Sequence, residues 1–467
     1  MFSRFVSVRP FVMFIAVIAT LPALSVADTP QRSASPSSAS PSSASASTEV
    51  AIASSLGAAG TAAAFLPPQS LPNNLPIPNQ NGFAASWSTE GFVDLADDFH
   101  APPGTNGRDC SNCHAVESGW SITPLQVQLK FLLSGGRDPI FNPLDANNPN
   151  AKLETVPERW RGYGMLLQGL FRRGGGVRTG AEYEIFSADD PHGLGTTTNF
   201  SFFRRPLATA NMTLITGLMW DDRLTVANDG RPPRQGLFSQ ARGNITGAQQ
   251  GAPPLDSLVN AIVDQELMIS HAQVSIFGMG RLDSCGARGG PEHLATQQLV
   301  TGRWDLFDAW IGLVPGSCTT PSADRKRAQI ARGQEIFNER QNPNGGKCRG
   351  CHNVVNNGTN FAGTLFDIGV SAASRRTPDM PLYTLRNLAT GDLVQTTDPG
   401  KAFVTGKWGD MNRFKAPTLR GLSARAPYFH NGIAKTLRDV VRHYDEVQTF
   451  GFTHQEKDDL VAFLNAL

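Results

Sequence analysis

The sequence lacks an excess of charge of either sign. Its 41 Lys and Arg residues stand against 40 Asp and Glu residues, so the 467-residue chain has a formal net charge of +1. Partners such as nucleic acid or an anionic membrane surface normally require a basic excess, so the composition indicates neither. Long runs of large apolar residues are also missing after residue 27. The charge-free stretch that follows Glu49 is interrupted by Ser, Gly, Pro and Asn, so we expect no bilayer span there.

An apolar run does occur at the N-terminus, over residues 11–21, after Arg4 and Arg9. Small residues at 25–27 then provide a cleavage site before Asp28. This pattern predicts a secretory signal peptide over residues 1–27 and a soluble, exported, periplasmic protein. No Cys follows the cleavage site, so we expect no lipid anchor there.

The stretch after the signal peptide has little apolar content. Residues 28–82 are rich in Ser, Ala and Pro, as in "SASPSSASPSSASAS" and "LPPQSLPNNLPIPNQNG". Such a composition buries too little apolar surface to offset the entropy lost on folding. We therefore predict a disordered, low-complexity tether over 28–82.

Cysteine is scarce, and four of the six Cys residues fall in two matching motifs, "CSNCH" at 110–114 and "CRGCH" at 348–352. A zinc site would need four ligands from two widely separated pairs, and a redox dithiol would not explain the repeated His. Cys-x-x-Cys-His is the attachment motif of c-type haem, in which the His is the proximal iron ligand. The predicted attachment residues are Cys110, Cys113, Cys348 and Cys351, and the predicted iron ligands are His114 and His352.

The other two cysteines, Cys285 and Cys318, stand alone in the sequence. An oxidising compartment permits a structural disulfide between them, which would close a loop between the two haem regions. Spacing does not establish pairing geometry, so two unpaired thiols remain the alternative.

Helical patterns are clearest after residue 321. The stretch "SADRKRAQIARGQEIFNER" (322–340) has apolar residues at helical spacing, and "THQEKDDLVAFLNAL" (453–467) begins with a capping box of Thr453 and Glu456. A helix before the haem motif and a helix at the end are typical of a cytochrome c domain. We predict a mainly α fold of two cytochrome c-like haem domains with long loops, at 83–321 and 322–467.

Two longer stretches resemble a known family. The block "FKAPTLRGLSARAPYFHNGIAKTLRDVVRHYDE" (414–446) is similar to the C-terminal hallmark of the di-haem bacterial cytochrome c peroxidases, a family that includes the MauG-type enzymes. The segment "FFRRPLATANMTLITGLMWDDR" (202–223) is similar to the family's Arg-Asn-x-Pro-Thr…Phe-Trp-Asp-Gly-Arg segment. The resemblance covers about 83–467, with the two haem motifs in the expected order.

The resemblance implies different roles for the two haems. Haem 1, on His114, would react with hydrogen peroxide, and haem 2, on His352, would exchange electrons with the outside. The family places a relay Trp between them, and the "MWDDR" match assigns that role to Trp220. An ordinary core Trp is the alternative, although an indole between porphyrins can be oxidised transiently.

The second ligand of haem 2 lies in the family on the helix after "PYFH", here "TLRDVVRHYDEV". Tyr444 falls at the family's ligand position and continues the apolar stripe that begins at Leu437. His443 is about 100° further round and is expected to face solvent. His443 stays an alternative on ligand strength, and Met411 is another. A Tyr ligand lowers the haem potential, which favours a MauG-like oxidase over a plain peroxidase.

The reactive side of haem 1 departs from the family pattern. Laying "SQARGNITGAQQG" on the family segment puts Gln250 at the place of a proton-transferring Glu, and an amide does not accept a proton from peroxide. Asp221 and Asp222 are possible replacements, and a slip of the alignment by several residues is the alternative.

Histidine is absent between 115 and 191, where many family peroxidases have a ligand that closes haem 1. His100 and His192 are distant alternatives, so we expect an open or water-bound site that needs no reductive activation. His430, in "APYFHNG", is expected to be structural and to bond a propionate or a carbonyl.

A calcium ion between the haems is also implied by the resemblance, but its Asn ligand is replaced by Arg at both 204 and 205, which disfavours the ion.

The sequence as a whole predicts a periplasmic di-haem c-type oxidoreductase that reduces hydrogen peroxide. Its electrons would come through haem 2 from a cytochrome c, a cupredoxin or an oxidisable protein substrate. A non-catalytic di-haem electron carrier and a dioxygen-using oxygenase are the alternatives.

Overall fold

The structure, a computed structural model, describes residues 69–226, 229–359 and 363–467. The predicted signal peptide and most of the predicted tether lie outside the described residues. The described residues fall within a single compact unit of the chain. No helix in these ranges is both long and apolar enough to cross a membrane.

The described ranges contain short helices and short strands, numbered here in chain order. The α-helices are α1 Pro124–Ser134, α2 Val156–Gly162, α3 Arg234–Thr246, α4 Asp256–Met268, α5 Pro291–Thr296, α6 Pro321–Glu339, α7 Cys348–Cys351, α8 Ala402–Thr405, α9 Leu437–Gln448 and α10 His454–Asn465. The strands are β1 Ser70–Pro72, β2 Ile77–Asn79, β3 Gly82–Trp87, β4 Phe92–Asp94, β5 Phe171–Gly176, β6 Tyr183–Asp189, β7 Asn199–Arg204, β8 Ser270–Ile276, β9 Gly280–Arg281, β10 Leu365–Phe366, β11 Leu382–Asn387, β12 Leu393–Thr396 and β13 Phe414–Lys415.

The strands make the prediction of a mainly α fold incomplete. In the described ranges they form small antiparallel sheets: β2-β3-β8-β9, β12-β11-β6, and the pairs β1-β4, β5-β7 and β10-β13. Most partners are far apart in sequence, so the chain gives no hairpin signal for them.

One of these sheets combines strands from both halves of the chain. β6 pairs with β11, with Tyr183 opposite Asn387 and Asp189 opposite Leu382. The strands come from either side of the predicted boundary at 321/322, and that boundary stays a prediction.

The predicted tether is too long at its C-terminal end. β1 pairs with β4 and β2 pairs with β3, and Leu71 and Ile77 are buried in an apolar cluster with Val93 and Phe99. The Pro-rich stretch therefore ends in edge strands, where Pro is tolerated because its missing N–H is not needed.

The C-terminal helices match their predictions. Thr453 caps α10 in a reciprocal capping box with Glu456, and α6 precedes the second haem motif. α10 crosses α6 at Gly333, where a Cβ would lie 2.0 Å from the Asp459 carbonyl oxygen. The absence of a side chain at Gly333 thus lets the two helices pack closely beside haem 2.

Cys285 and Cys318 are paired, which confirms the predicted disulfide. Their Cα atoms are 6.2 Å apart, within the usual range for a disulfide. The bridge ties the loop after β9 to the segment that leads into α6.

Candidate functional site

The first haem motif lies on a capped turn. The Asp109 side chain accepts a hydrogen bond from the Asn112 backbone N–H (3.0 Å) and caps the 3-10 helix Cys110–Asn112. The next turn carries His114, whose Nδ1 lies 3.2 Å from the Trp120 carbonyl oxygen. A carbonyl only accepts, so Nδ1 holds the proton and Nε2 keeps its lone pair for a metal.

The second motif presents its His in the same way. His352 follows α7, and its Nδ1 lies 2.6 Å from the Gly358 carbonyl oxygen. Burial lowers the pKa of His114 to about 4 and also lowers the pKa of His352. Both imidazoles are therefore neutral, with the same tautomer, as iron ligation requires.

Each motif lines a separate cavity. The haem 1 cavity, at residues 110–114, has a volume of about 620 Å³, and the haem 2 cavity, at residues 348–352, has about 240 Å³. A shared wall separates them. The residues that line both cavities are Arg205, Pro206, Leu207, Trp220, Lys415 and Thr418.

The walls fit c-type haem. Burial raises the pKa of all four motif thiols, which suits neutral thiols that form thioethers rather than thiolates that ligate a metal. Cationic side chains also line the haem 1 cavity and would offset the two anionic propionates of a haem. They are Arg108, Arg172, Arg173, Arg204, Arg205, Arg223 and Lys415.

Trp220 belongs to the shared wall. Its indole Nε1–H donates to the Arg205 carbonyl oxygen (2.8 Å), and its own carbonyl accepts from the Lys415 backbone N–H (2.8 Å). Its ring packs edge-on against His430, with ring centroids 6.1 Å apart. The indole is therefore held in one orientation, where the family resemblance expects a relay.

A buried ion network joins the two halves of the chain. Arg204 makes two contacts with Asp398 (2.6 and 2.8 Å) and also binds Asp221, which Arg223 contacts at 2.8 Å. Burial would raise the pKa of Asp221, but the two arginines outweigh it and hold that pKa below its usual range. Asp222 accepts from a Thr hydroxyl three residues on. Both carboxylates that the sequence offered as proton carriers are thus engaged elsewhere.

α9 places Tyr444, and not His443, in the wall of the haem 2 cavity. Burial raises the pKa of the Tyr444 phenol. His443 does not face solvent as expected: it is 4% exposed, and its Nε2 donates to the Ile368 carbonyl oxygen at 2.8 Å. A chain segment distant in sequence covers that face of the helix. Met411 packs in a different apolar cluster.

Gln250 does not lie where the sequence alignment put it. It is exposed, its backbone is left-handed (φ +56°), and its carbonyl accepts from the Thr105 hydroxyl. The preceding residue, Gln249, is buried in the haem 1 cavity wall, with Nε2 3.7 Å from Cys110 Sγ. The left-handed turn after α3 directs Gln250 outward, so Gln249, and not Gln250, faces the haem 1 cavity.

Glu266 lines the haem 1 cavity and is not among the site residues predicted from the sequence. It is buried on α4, and burial raises its pKa to about 8. A signal was present in the sequence. Val259, Ile262 and Val263 form an apolar stripe at i, i+3 and i+4, and Glu266 occupies the i+7 position of that stripe.

Two other histidines lie apart from haem 1. His100 contacts Asp97 at 2.8 Å, and His192 contacts the Asp379 carbonyl oxygen at 2.9 Å. Neither lines the haem 1 cavity, and among the described residues of that wall His114 is the only His.

His430 lines the haem 2 cavity and contacts other side chains, and its predicted structural role stays a prediction. Its ring stacks on Phe414, with centroids 4.0 Å apart, and its Nε2 lies 3.3 Å from Ser371 Oγ. Burial lowers its pKa to about 4, so the ring is neutral.

An arginine occupies the region that the resemblance associates with calcium. The Arg205 guanidinium donates to the carbonyl oxygens of Ile122 (2.5 Å), Arg425 (3.3 Å) and Gly169 (3.5 Å). These three carbonyl oxygens therefore already have a cationic partner. The described ranges also contain no His, Cys, Asp and Glu cluster suited to a metal ion.

Comparison with curated proteins finds relatives of one kind. "Cytochrome-c peroxidase IdrP2" of Denitromonas iodatirespirans is 34% identical over 153 residues, which cover 30% of this chain and 40% of that protein. "Methylamine utilization protein MauG" of Methylophilus methylotrophus is 26% identical over 277 residues, which cover 56% of this chain and 68% of that protein. The chain is similar to cytochrome c peroxidases and to MauG proteins.

The chain spans less than half the length of the peroxidases that it is similar to. The match covers 40% of IdrP2 and 22% of "Cytochrome-c peroxidase IdrP1" of the same organism. No family model matches the chain. Among solved structures, "Crystal structure of a MauG-like protein associated with microbial copper homeostasis" aligns with 86% of this chain and 94% of that chain, at 16% identity and a TM-score of 0.38.

Proposed function

We propose that this chain is a periplasmic di-haem oxidoreductase that reduces hydrogen peroxide at haem 1 and exchanges electrons through haem 2. The observation that carries the proposal is the position of Trp220, which lines both cavities while each cavity has its own Cys-x-x-Cys-His motif. Relatives named as cytochrome c peroxidases and MauG support the same class of chemistry.

Haem iron, when bound at each motif, supplies the redox chemistry. His114 and His352 hold the irons through Nε2, because the Nδ1 of each is bonded to a backbone carbonyl. Trp220 passes electrons across the shared wall. Its Nε1–H bond to the Arg205 carbonyl oxygen favours positive charge on the indole when an electron leaves.

Haem 1 is the site for the oxidant. Its cavity is the larger of the two, and apart from His114 no His lines the described part of its wall. With a haem held on His114, this wall would leave room for a small polar molecule, and its cationic and amide side chains suit such a molecule better than an apolar substrate.

Tyr444 lines the haem 2 cavity and would provide the second ligand of a haem held there. A phenolate oxygen stabilises ferric iron and lowers the haem potential, and the ferric charge in turn offsets the effect of burial on the phenol pKa. A low potential is poorly suited to taking electrons from an ordinary cytochrome c or cupredoxin. An oxidisable protein substrate that docks near haem 2 is therefore the partner that this ligand favours.

A rapid-mixing optical experiment tests the proposal. The diferric protein receives one equivalent of hydrogen peroxide and no electron donor. We expect a fast change of the haem bands followed by a slow return. Trp220→Phe keeps the change at haem 1 and slows the change at haem 2, whereas Trp160→Phe, at an exposed Trp of α2, behaves as wild type. A spectrum that stays unchanged over seconds contradicts the enzyme and favours an electron carrier.

A further inference from the structure

Glu266 places a buried carboxyl group in the wall of the haem 1 cavity. It is 2% exposed, and its Oε2 has no hydrogen-bond partner among the residues that the structure describes. Folding strips water from such a group, and a carboxyl without a replacement partner destabilises the protein. A buried acid kept in this state at a reaction cavity points to a functional role.

The other acids of the same wall have partners. Asp145 binds Arg108 at 2.6 Å, and Asp109 caps the turn of the first motif. Asp221, beside the wall, is held by two arginines. Glu266 is therefore the acid of this wall that has a carboxyl oxygen available to exchange a proton with a small molecule.

Two amide side chains of the wall also have an oxygen atom without a hydrogen-bond partner. The Oε1 atoms of Gln240 and Gln249 are buried and find no hydrogen-bond partner within the described ranges. Together with Glu266 they provide three polar groups with unused acceptors around one cavity. A bound molecule with O–H groups, such as water or hydrogen peroxide, would satisfy them.

Glu266 also lies close to the point of haem attachment. Burial is the main cause of the raised pKa of the Cys110 thiol, and the charge of Glu266 is the second cause. Gln249 approaches the same sulfur, with Nε2 3.7 Å from Cys110 Sγ. The carboxyl is therefore at the edge of the haem that Cys110 would attach.

We propose that Glu266 transfers protons during cleavage of the peroxide O–O bond at haem 1, an inference that rests on the proposed function. The carboxyl hydroxyl donates a proton to the outer peroxide oxygen while the carboxyl carbonyl oxygen accepts the proton of the inner oxygen. The O–O electron pair leaves with the outer oxygen as water, and Glu266 is protonated again. Two electrons and two protons then convert the inner oxygen to water, so H₂O₂, two electrons and two protons give two water molecules.

The environment of Glu266 keeps it in the form that this step needs. Burial raises its pKa to about 8, so the carboxyl holds its proton at neutral pH. Gln249 and Gln240 contribute amides, which orient a peroxide but do not exchange its protons.

Glu266→Gln separates proton transfer from structure, because the amide is similar in shape to the neutral acid. The haem-loaded full chain is mixed rapidly with hydrogen peroxide or with peracetic acid. Acetate leaves peracetic acid without needing a proton, whereas hydroxide needs one. We expect the hydrogen peroxide reaction to slow by about 10²-fold or more, with little change for peracetic acid. The infrared spectrum of the variant loses one protonated-carboxyl band.

Matched variants complete the test. Glu90→Gln, at an exposed Glu in the same half, leaves both reactions unchanged, and Glu266→Asp keeps a carboxyl and recovers part of the hydrogen peroxide rate. Equal slowing with both oxidants, or no slowing with either, overturns the role of Glu266. If Glu266→Gln does not load haem, Glu266→Asp must still slow hydrogen peroxide more than peracetic acid. A wild-type protein that reacts with neither oxidant refutes the proposed function instead.

Discussion

The two haem cavities have the same motif and different walls. The haem 1 cavity, of about 620 Å³, is lined by many cationic side chains, by three amides and by Glu266. The haem 2 cavity, of about 240 Å³, has a wall that is mostly aromatic and aliphatic. Its apolar lining includes Phe337, Phe366, Phe414, Phe429, Leu437, Val440, Val441, Phe450, Phe452, Leu460 and Leu464.

This difference separates what the motif supplies from what the wall supplies. In both motifs a backbone carbonyl fixes Nδ1 of the His, so the iron would meet the same imidazole at His114 and His352. The rest of each wall differs, because the haem 1 cavity has spare polar acceptors and the haem 2 cavity has the Tyr444 phenol. Under the proposed function, the wall, and not the Cys-x-x-Cys-His motif, would distinguish a site for an oxidant from a site that holds electrons.

Removing one proximal His at a time should have the largest effect on the difference between the two haem cavities. His114→Gly abolishes the fast reaction with hydrogen peroxide, because the haem that would bind the oxidant loses its imidazole. His352→Gly leaves that first reaction in place and blocks the later sharing of oxidising equivalents. Rapid-mixing spectra measure both, with haem content determined for each variant.

Added imidazole provides the control for these variants. It should restore the peroxide reaction of His114→Gly by entering the space that the ring leaves, since the thioethers still hold the haem. Loss of the first reaction in His352→Gly, with the reaction retained in His114→Gly, would reverse the assignment of the two cavities.

Arg204 links the two halves of the chain through its contacts with Asp221 and Asp398, and its loss should destabilise the whole protein. Arg204→Ala leaves Asp398 buried without its arginine and leaves Asp221 with Arg223 alone, which costs about 3–5 kcal/mol. Urea unfolding of the haem-loaded protein measures this cost. Arg234→Ala removes an exposed ion pair with Asp264 (2.7 Å) and should cost at most about 1 kcal/mol. Equal costs for the two variants would show that the buried network does not join the halves.

Local patterns made part of the fold and the site predictable. The haem motifs, the capping box of α10 and the apolar stripe of α9 each depend on residues a few positions apart. The same kind of pattern placed Tyr444 on the core-facing side of α9, where the structure has it in the haem 2 cavity.

Long-range contacts account for what the sequence did not predict. The pairing of β6 with β11 brings together residues about 200 positions apart, so no local signal reveals the sheet. His443 is buried because the segment at Ile368 covers it, which helical periodicity does not show. At Gln250 a left-handed backbone turn decides which of two neighbouring amides faces haem 1.

The variant Tyr444→Phe, with a smaller expected effect, tests whether Tyr444 is the second ligand of haem 2. Tyr444→Phe removes the phenol from the cavity wall, so the haem 2 absorption changes and its reduction potential rises. Spectra of the diferric protein and a redox titration measure both quantities. The peroxide reaction at haem 1 should keep its first phase, because Tyr444 is absent from the described wall of that cavity.

His443→Phe is the matched control on the same helix. It removes the 2.8 Å hydrogen bond to the Ile368 carbonyl oxygen, and the loss of one such bond costs about 1 kcal/mol. The haem 2 spectrum and potential should not move, because His443 is bonded to the backbone on the other side of α9. A spectral change in His443→Phe with none in Tyr444→Phe would transfer the ligand role to His443. That result would require α9 to rotate when haem binds, since Tyr444 is the residue that the helix now presents to the cavity.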